Sequence, residues 1–231
     1  MPNFFDLPRE LRDQIYRFCV VDSKSVHTWT CSYQVAAGLL CVSKTVYREA
    51  SSVFYSQNIF DFGSRHLDQV ARFLDHIGPA NAERIRHIIV PFPELRGLDL
   101  GHPFASLDNR LAILLAIVRG HCPRLRTITA SHWYWHGLLP LCLIPYSSRP
   151  EAITIALTLV DSQFRVVPSV REIVVEAYDY GDPNDEIRRE MARLGWTVSA
   201  GVKSTAYGLS LEEVNSARIR VQNEGRNCFC G

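Results

Sequence analysis

Three short stretches of this chain share one shape, and that shape limits what the chain can build. Arg84-Ile85-Arg86-His87-Ile88, Arg124-Leu125-Arg126-Thr127-Ile128 and Ser169-Val170-Arg171-Glu172-Ile173 each run apolar residue, arginine, polar residue, isoleucine. The matched arginines lie 40 and 45 residues apart. Helical patterns fill the gaps. Leu67, Val70, Leu74 and Ile77 predict a helix over Arg65 to Ile77, closed by Gly78-Pro79. Leu111, Leu114, Leu115 and Val118 predict another over Asp108 to His121, stopped by Cys122-Pro123. Strands joined through helices pair in parallel, so at least part of the sheet is expected to be parallel.

The remaining elements are read the same way. Glu83 to Val90, Leu125 to Thr129 and Val170 to Val175 are predicted strands. Glu151 to Val160 is apolar and fits either a helix or a strand. Asp182-Pro183 opens a helix that runs through Leu194 to Gly195, and Trp196 to Ala200 reads as a last strand. Leu209 to Val221 is amphipathic, with Ser210 as its cap, and 222–231 carries no pattern.

The first sixty residues hold two further amphipathic stretches. In Phe4 to Val20, Asp6 is placed to cap a helix and Pro8 suits its first turn. Leu7, Leu11, Ile15 and Phe18 then recur on one helical face, with Arg9, Arg12, Asp13, Gln14 and Arg17 filling the other side. In Ala36 to Phe62, Leu39, Leu40, Val42, Val46, Ala50, Val53 and Phe54 form a broad apolar stripe. Asn58 to Phe62 then alternates as a strand does. Between the two stretches, Asp22 to Gln34 alternates Val26, Thr28 and Thr30 with His27, Trp29 and Cys31, which also reads as a strand.

LPRELRDQIY resembles the opening of an F-box, and LLCVSKTVYREASSVFYSQNIFDF is similar to its later helix and exit. The likeness is closer still to the F-box-like domains common in filamentous fungal proteins. It covers about the first quarter of the chain. It implies that Leu7, Pro8, Leu11 and Ile15 meet a Skp1-type adaptor, with Val42 and Tyr47 at the later apolar and aromatic positions. The strand-like segment after Asp22 departs from the plain F-box pattern, as does Tyr47 where tryptophan is usual. The helix–strand units behind it resemble degenerate leucine-rich repeats, although the asparagine ladder is missing and the spacing is long. Strand–helix alternation in any α/β domain also yields such echoes, so both readings stay open.

Composition excludes several classes. The 25 Lys and Arg against 24 Asp and Glu give no electrostatic case for nucleic acid or an anionic membrane. No apolar run reaches the ~20 residues a membrane helix needs. Asp6, Arg9, Glu10 and Arg12 interrupt any leader-like apolar stretch. Seven scattered cysteines favour reduced thiols and hence a cytoplasmic or nuclear setting.

Chemical motifs are absent: there is no phosphate loop, nucleophile elbow or His-Glu-x-x-His. His132 and His136 stand four apart, but no cysteine pair at ligand spacing supports a metal, and none is expected. The run Trp133-Tyr134-Trp135 follows a strand end and reads as either a recognition loop or a cluster capping the sheet. Asp179 and Asp182 read as a solvated turn and helix cap.

The expected protein is therefore α/β, with mixed α+β possible. An F-box-like helical module over 1–62 precedes a repeat-like α/β domain over 63–208, and 209–231 holds a helix and loose tail. By the resemblance it is a non-enzymatic substrate adaptor without a cofactor. Its partners are a Skp1-type ubiquitin-ligase subunit and an unknown protein target held near Trp133, Tyr134 and Trp135, with no nucleic acid or membrane. The alternative is a self-contained protein-binding or structural domain with no ubiquitin link.

Overall fold

The computed structural model describes residues 3–27, 38–63, 67–93, 95–96, 106–107, 109–131, 150–177 and 185–200. The run Met1–Ala200 forms one compact unit. After a 3-10 turn at Phe4–Asp6, the elements are α1 Arg9–Val20, β1 Val26–His27, α2 Lys44–Gln57, β2 Ile59–Asp61, α3 Leu67–Ile77 and α4 Pro79–Ala82. Then come β3 His87–Pro91, β4 Leu95–Arg96, β5 Ser106–Leu107, α5 Asn109–His121, β6 Thr127–Ser131, α6 Pro150–Phe164, β7 Glu172–Ala177, α7 Asp185–Arg193 and β8 Thr197–Ala200.

The α/β expectation holds, and the sheet is parallel throughout its six strands. Their order is β1-β2-β3-β6-β7-β8, while β4 and β5 form a separate antiparallel pair. The order follows the chain without a reversal. Parallel crossovers are almost always right-handed. A right-handed chain that always steps the same way lays every crossover helix on the same face of the sheet. The helices accordingly neighbour one another in chain order: α1 on α2, α3 on α5, α5 on α6, and α6 on α7.

Side-chain alternation matches this one-sided arrangement. Val26, Phe60, Ile88, Ile128 and Ile173 share one row across the strands, and Val90, Ala130 and Val175 share the next. All are buried and apolar, and they form one core with Val53, Leu74, Leu114, Leu115, Leu157 and Val160 of the helices. At β2 the core is aromatic. The Phe60 ring stacks on Tyr55 at 5.8 Å and meets Phe54 at 5.8 Å and Phe73 at 5.9 Å. Farther along, Phe164 meets Trp196 edge-on, and the Trp196 indole N–H donates to Asp161 Oδ1 at 2.8 Å.

The three echoing stretches lie in register. The amide of Arg126 donates to the Arg86 carbonyl and that of Arg171 to the Arg126 carbonyl, both at 2.8 Å. Each strand is entered through the same turn: Ile85 N–H donates to Ala82 O, Leu125 to Cys122 O and Val170 to Val167 O. Burial explains this sameness. Ile85, Leu125 and Val170 plug the bottom of the core, as do the three acceptor residues, so chain entering a strand after a helix meets the same constraint each time.

Several elements differ from expectation. The ambiguous 151–160 segment is the helix α6, because Ile153, Ala156, Leu157, Val160 and Phe164 are buried at helical spacing. Glu83 to Arg86 is a turn following the short helix α4, and strand pairing starts at His87. Asp6 does not cap α1; its Oδ2 accepts from the Asn3 amide in the preceding 3-10 turn, and Pro8 stands at the α1 start without a side-chain bond. The predicted helix at Leu209 to Val221 lies outside the described residues.

Candidate functional site on the polar sheet face

Parallel sheets are ordinarily covered on both faces and read as continuous apolar runs. Here alternation gives the second face a different chemistry. His27, Asp61, Ile89, Thr129, Val174 and Thr197 share one row across it, and Ile59, His87, Thr127 and Glu172 share another. Ser131 and Glu176 extend it toward the carboxyl ends of the strands.

These side chains bond across strands. The His27 ring Nδ1 lies 3.0 Å from Asp61 Oδ2, and Asp61 Oδ1 accepts from the Gly63 amide at 2.7 Å. His87 Nε2 lies 2.7 Å from Thr129 Oγ1. Thr127 Oγ1 donates to Glu172 Oε2 at 3.0 Å. Asp61, Thr129 and Ser131 are buried, yet each belongs to this polar set.

The two imidazoles are tuned in opposite directions. The hydrogen bond to Asp61 raises the His27 pKa, with burial pulling the other way. Burial lowers the His87 pKa, only partly offset by the charge on Glu172. Near neutral pH, His27 is thus biased toward the cation and His87 toward the neutral ring. Asp61, Glu172 and Glu176 give the face three carboxylates. It can accept hydrogen bonds from a ligand, hold positive charge, and offer a proton at His27.

The residues singled out on the N-terminal helices lie elsewhere. Leu11, Ile15, Val42 and Tyr47 are exposed, as is Pro8, and Leu7 is half-buried. Phe18 is 91% exposed, the most open apolar side chain of α1. The core side of α1 is instead Tyr16 and Val20, which the sequence reading did not single out. Beneath them lies a polar knot. Arg12 grips Glu49 with two bonds of 2.9 and 2.7 Å and donates to the Leu7 carbonyl at 2.6 Å. Tyr16 donates to Glu49 Oε2 at 3.1 Å. The Arg12 bond holds the Glu49 carboxyl below its ordinary range, and burial pushes the Tyr16 hydroxyl up to about 12. On α2, the Tyr47 hydroxyl accepts from Asn81 Nδ2 at 3.0 Å.

Trp133, Tyr134, Trp135, His132, His136, Asp179 and Asp182 lie outside the described residues. Among the described residues no cluster of three or more potential metal ligands occurs, and no helix is long and apolar enough to cross a membrane.

No family model matches the chain, and no curated protein matches it. Among solved structures, the arginine decarboxylase of Paramecium bursaria Chlorella virus aligns at 12% identity and a TM-score of 0.32, covering 83% of this chain and 61% of that one. The chain therefore spans about three fifths of that protein's length. That neighbour is an enzyme, which the expectation of a non-enzymatic F-box-type adaptor does not match, and the expectation is not carried forward. A likeness of that TM-score brings no reaction, substrate or residue to this chain.

Proposed function

We propose that this chain is a ligand-binding protein built of helix–strand units resembling degenerate leucine-rich repeats. Its recognition surface is the polar face of the parallel sheet, and its ligand carries positive charge. One observation supports this reading above the rest: alternate positions on that face hold Asp61 on β2 and Glu172 and Glu176 on β7, in separate rows, while the opposite face is apolar at every matched row. A sheet that needed only to fold would gain by covering that face with apolar contacts, at about 25 cal/mol per Å² buried. Polar groups kept there satisfy one another through His27–Asp61, His87–Thr129 and Thr127–Glu172, which gives a pre-organised surface.

Calorimetric titration tests it, with spermidine and a lysine-rich octapeptide as probes at low salt. The wild-type chain is expected to bind at least one of them, and the Glu172→Gln, Glu176→Gln variant to bind at least tenfold more weakly. Absence of binding to both probes, or equal affinity in the variant, refutes the proposal. Glu172 is exposed and Glu176 half-buried, and neither belongs to the apolar core, so the variant keeps its core intact.

A further inference from the structure

We infer that the amino-terminal edge of the sheet is a second site, a row of three arginines that binds a compact anion carrying two or more phosphate groups. This inference is independent of the sheet-face proposal, since it concerns other residues and the opposite charge.

Arg86, Arg126 and Arg171 occupy the same position on β3, β6 and β7, one residue before each strand begins. Backbone bonds between them fix the register. Neighbouring strands lie ~4.8 Å apart, so the row spans about 10 Å. All three side chains are exposed, and none forms a side-chain hydrogen bond or ion pair among the described residues. Arg124, exposed in the turn before β6, adds a fourth guanidinium beside the row.

Folding does not ask for this row. The turn into each strand is set by the buried residue on one side and the isoleucine on the other, and the exposed position between them tolerates any polar residue. Like charges directly opposite each other on neighbouring strands are destabilising. Three units nevertheless place arginine there. Among the described residues, the nearby carboxylates do not neutralise it. Glu172 lies on the opposite face, where it accepts from Thr127, and Glu83 is exposed without a bond to any of the three. Arg84 is already engaged with Asn81 Oδ1 at 2.8 Å and is not counted in the row.

The ligand class follows from shape and chemistry. Guanidinium forks match phosphate oxygens in pairs, so a row of them suits a phosphate-bearing anion better than a single carboxylate. The row is also bounded. The position before β2 is Asn58, whose side chain is buried and bonded to backbone, and the matching position before β8 is Leu194. About 10 Å of positive edge accommodates two or three phosphates, whereas a nucleic-acid backbone calls for a longer basic track. The near-zero net charge of the whole chain agrees with a local site rather than a basic protein.

The test is calorimetric titration of the full chain with sodium tripolyphosphate, with sodium sulfate at matched ionic strength as reference. Tripolyphosphate is expected to bind at least tenfold more tightly than sulfate. The Arg126→Gln variant should lose about five- to tenfold, and Arg86→Gln, Arg126→Gln, Arg171→Gln together at least thirtyfold, with unchanged circular dichroism. The Arg72→Gln variant, altered on the exposed side of α3, should bind as the wild type does. Equal affinity for tripolyphosphate and sulfate overturns the inference, as does a loss in Arg72→Gln matching that in Arg126→Gln. Tighter binding of a twelve-residue single-stranded DNA than of tripolyphosphate overturns the assignment to a compact ligand. If the triple variant does not fold, the single Arg126→Gln variant decides.

Discussion

Replacing Phe60 by alanine removes the side chain on which the first half of the core converges. The Phe60 ring is fully buried and is packed by three others: Tyr55 stacked, Phe54 edge-on and Phe73 tilted, all with centroids within 5.9 Å. Two of those rings belong to α2 and one to α3, so the cavity left behind is walled by separate helices. Each helix is held by other buried residues, including Val53 on α2 and Val70 and Leu74 on α3, so the walls cannot simply collapse inward. The cost therefore falls in the range measured for buried phenylalanine truncations, about 3–5 kcal/mol. Against a total stability of about 5–15 kcal/mol this is a large fraction. Urea denaturation followed by circular dichroism should show the midpoint falling with little change in slope. For a chain of this size the melting temperature should drop by roughly 10 °C. A loss smaller than about 1 kcal/mol would mean that the ring is not in the core and that β2 does not stand between α2 and α3 as described.

Three other predictions concern backbone, polar and titratable groups. Asn58 is buried, donates to the carbonyls of Val20 and Phe54 at 2.8 and 2.9 Å and accepts from the Asp22 amide at 2.8 Å, so it ties the end of α1 to the start of β2. Asn58→Ala should cost about 2–3 kcal/mol in a urea melt, the sum expected for buried groups left without partners. Two glycines should respond with opposite signs although nothing lies within 4 Å of an added Cβ at either. Gly78 has φ +78° and ψ 161°, so Gly78→Ala should cost about 1–3 kcal/mol of backbone strain. Gly120→Ala, inside α5, should stabilise the chain by about 0.5–1 kcal/mol, read in the same melts. The two histidines should give opposed pH dependence. The raised pKa of His27 makes its contribution full below its unfolded value near 6.5 and lost as pH rises through the folded value. The lowered pKa of His87 makes its contribution present above ~6.5 and lost as pH falls through the folded value. Stability measured from pH 5 to 8 should therefore fall less on acidification in His87→Gln than in wild type, and less on alkalinisation in His27→Gln.

The parallel sheet was legible because its signals are local. Thr127-Ile128-Thr129-Ala130 alternates visibly, the helices between strands carry apolar residues at helical spacing, and the arginine echo marks three equivalent entries into strands. The orientation of α1 was not legible. Leu11, Ile15 and Phe18 form the regular apolar stripe, yet the buried side is Tyr16 and Val20 with Arg12 folded onto Glu49. Periodicity reports that a helix has an apolar face. It does not report that a tyrosine and a bidentate ion pair, closed by a residue of another helix, outweigh that face in the core. The polar sheet face was missed for a similar reason. His27 and Asp61, or Thr127 and Glu172, are far apart in the chain and become neighbours only through register. Its signal in the sequence was the polar residue between the arginine and the isoleucine of each echo: His87, Thr127 and Glu172.

The most direct test of the sheet-face account is an amide chemical-shift map of the labelled chain titrated at low salt with spermidine and, separately, with the lysine-rich octapeptide. The account predicts that with at least one of them shifts cluster on His27, Asp61, Thr129, Glu172 and Glu176 and disappear in the Glu172→Gln, Glu176→Gln variant. Shifts confined to α1 through α7, or none with either probe at any concentration that leaves the chain folded, would contradict it.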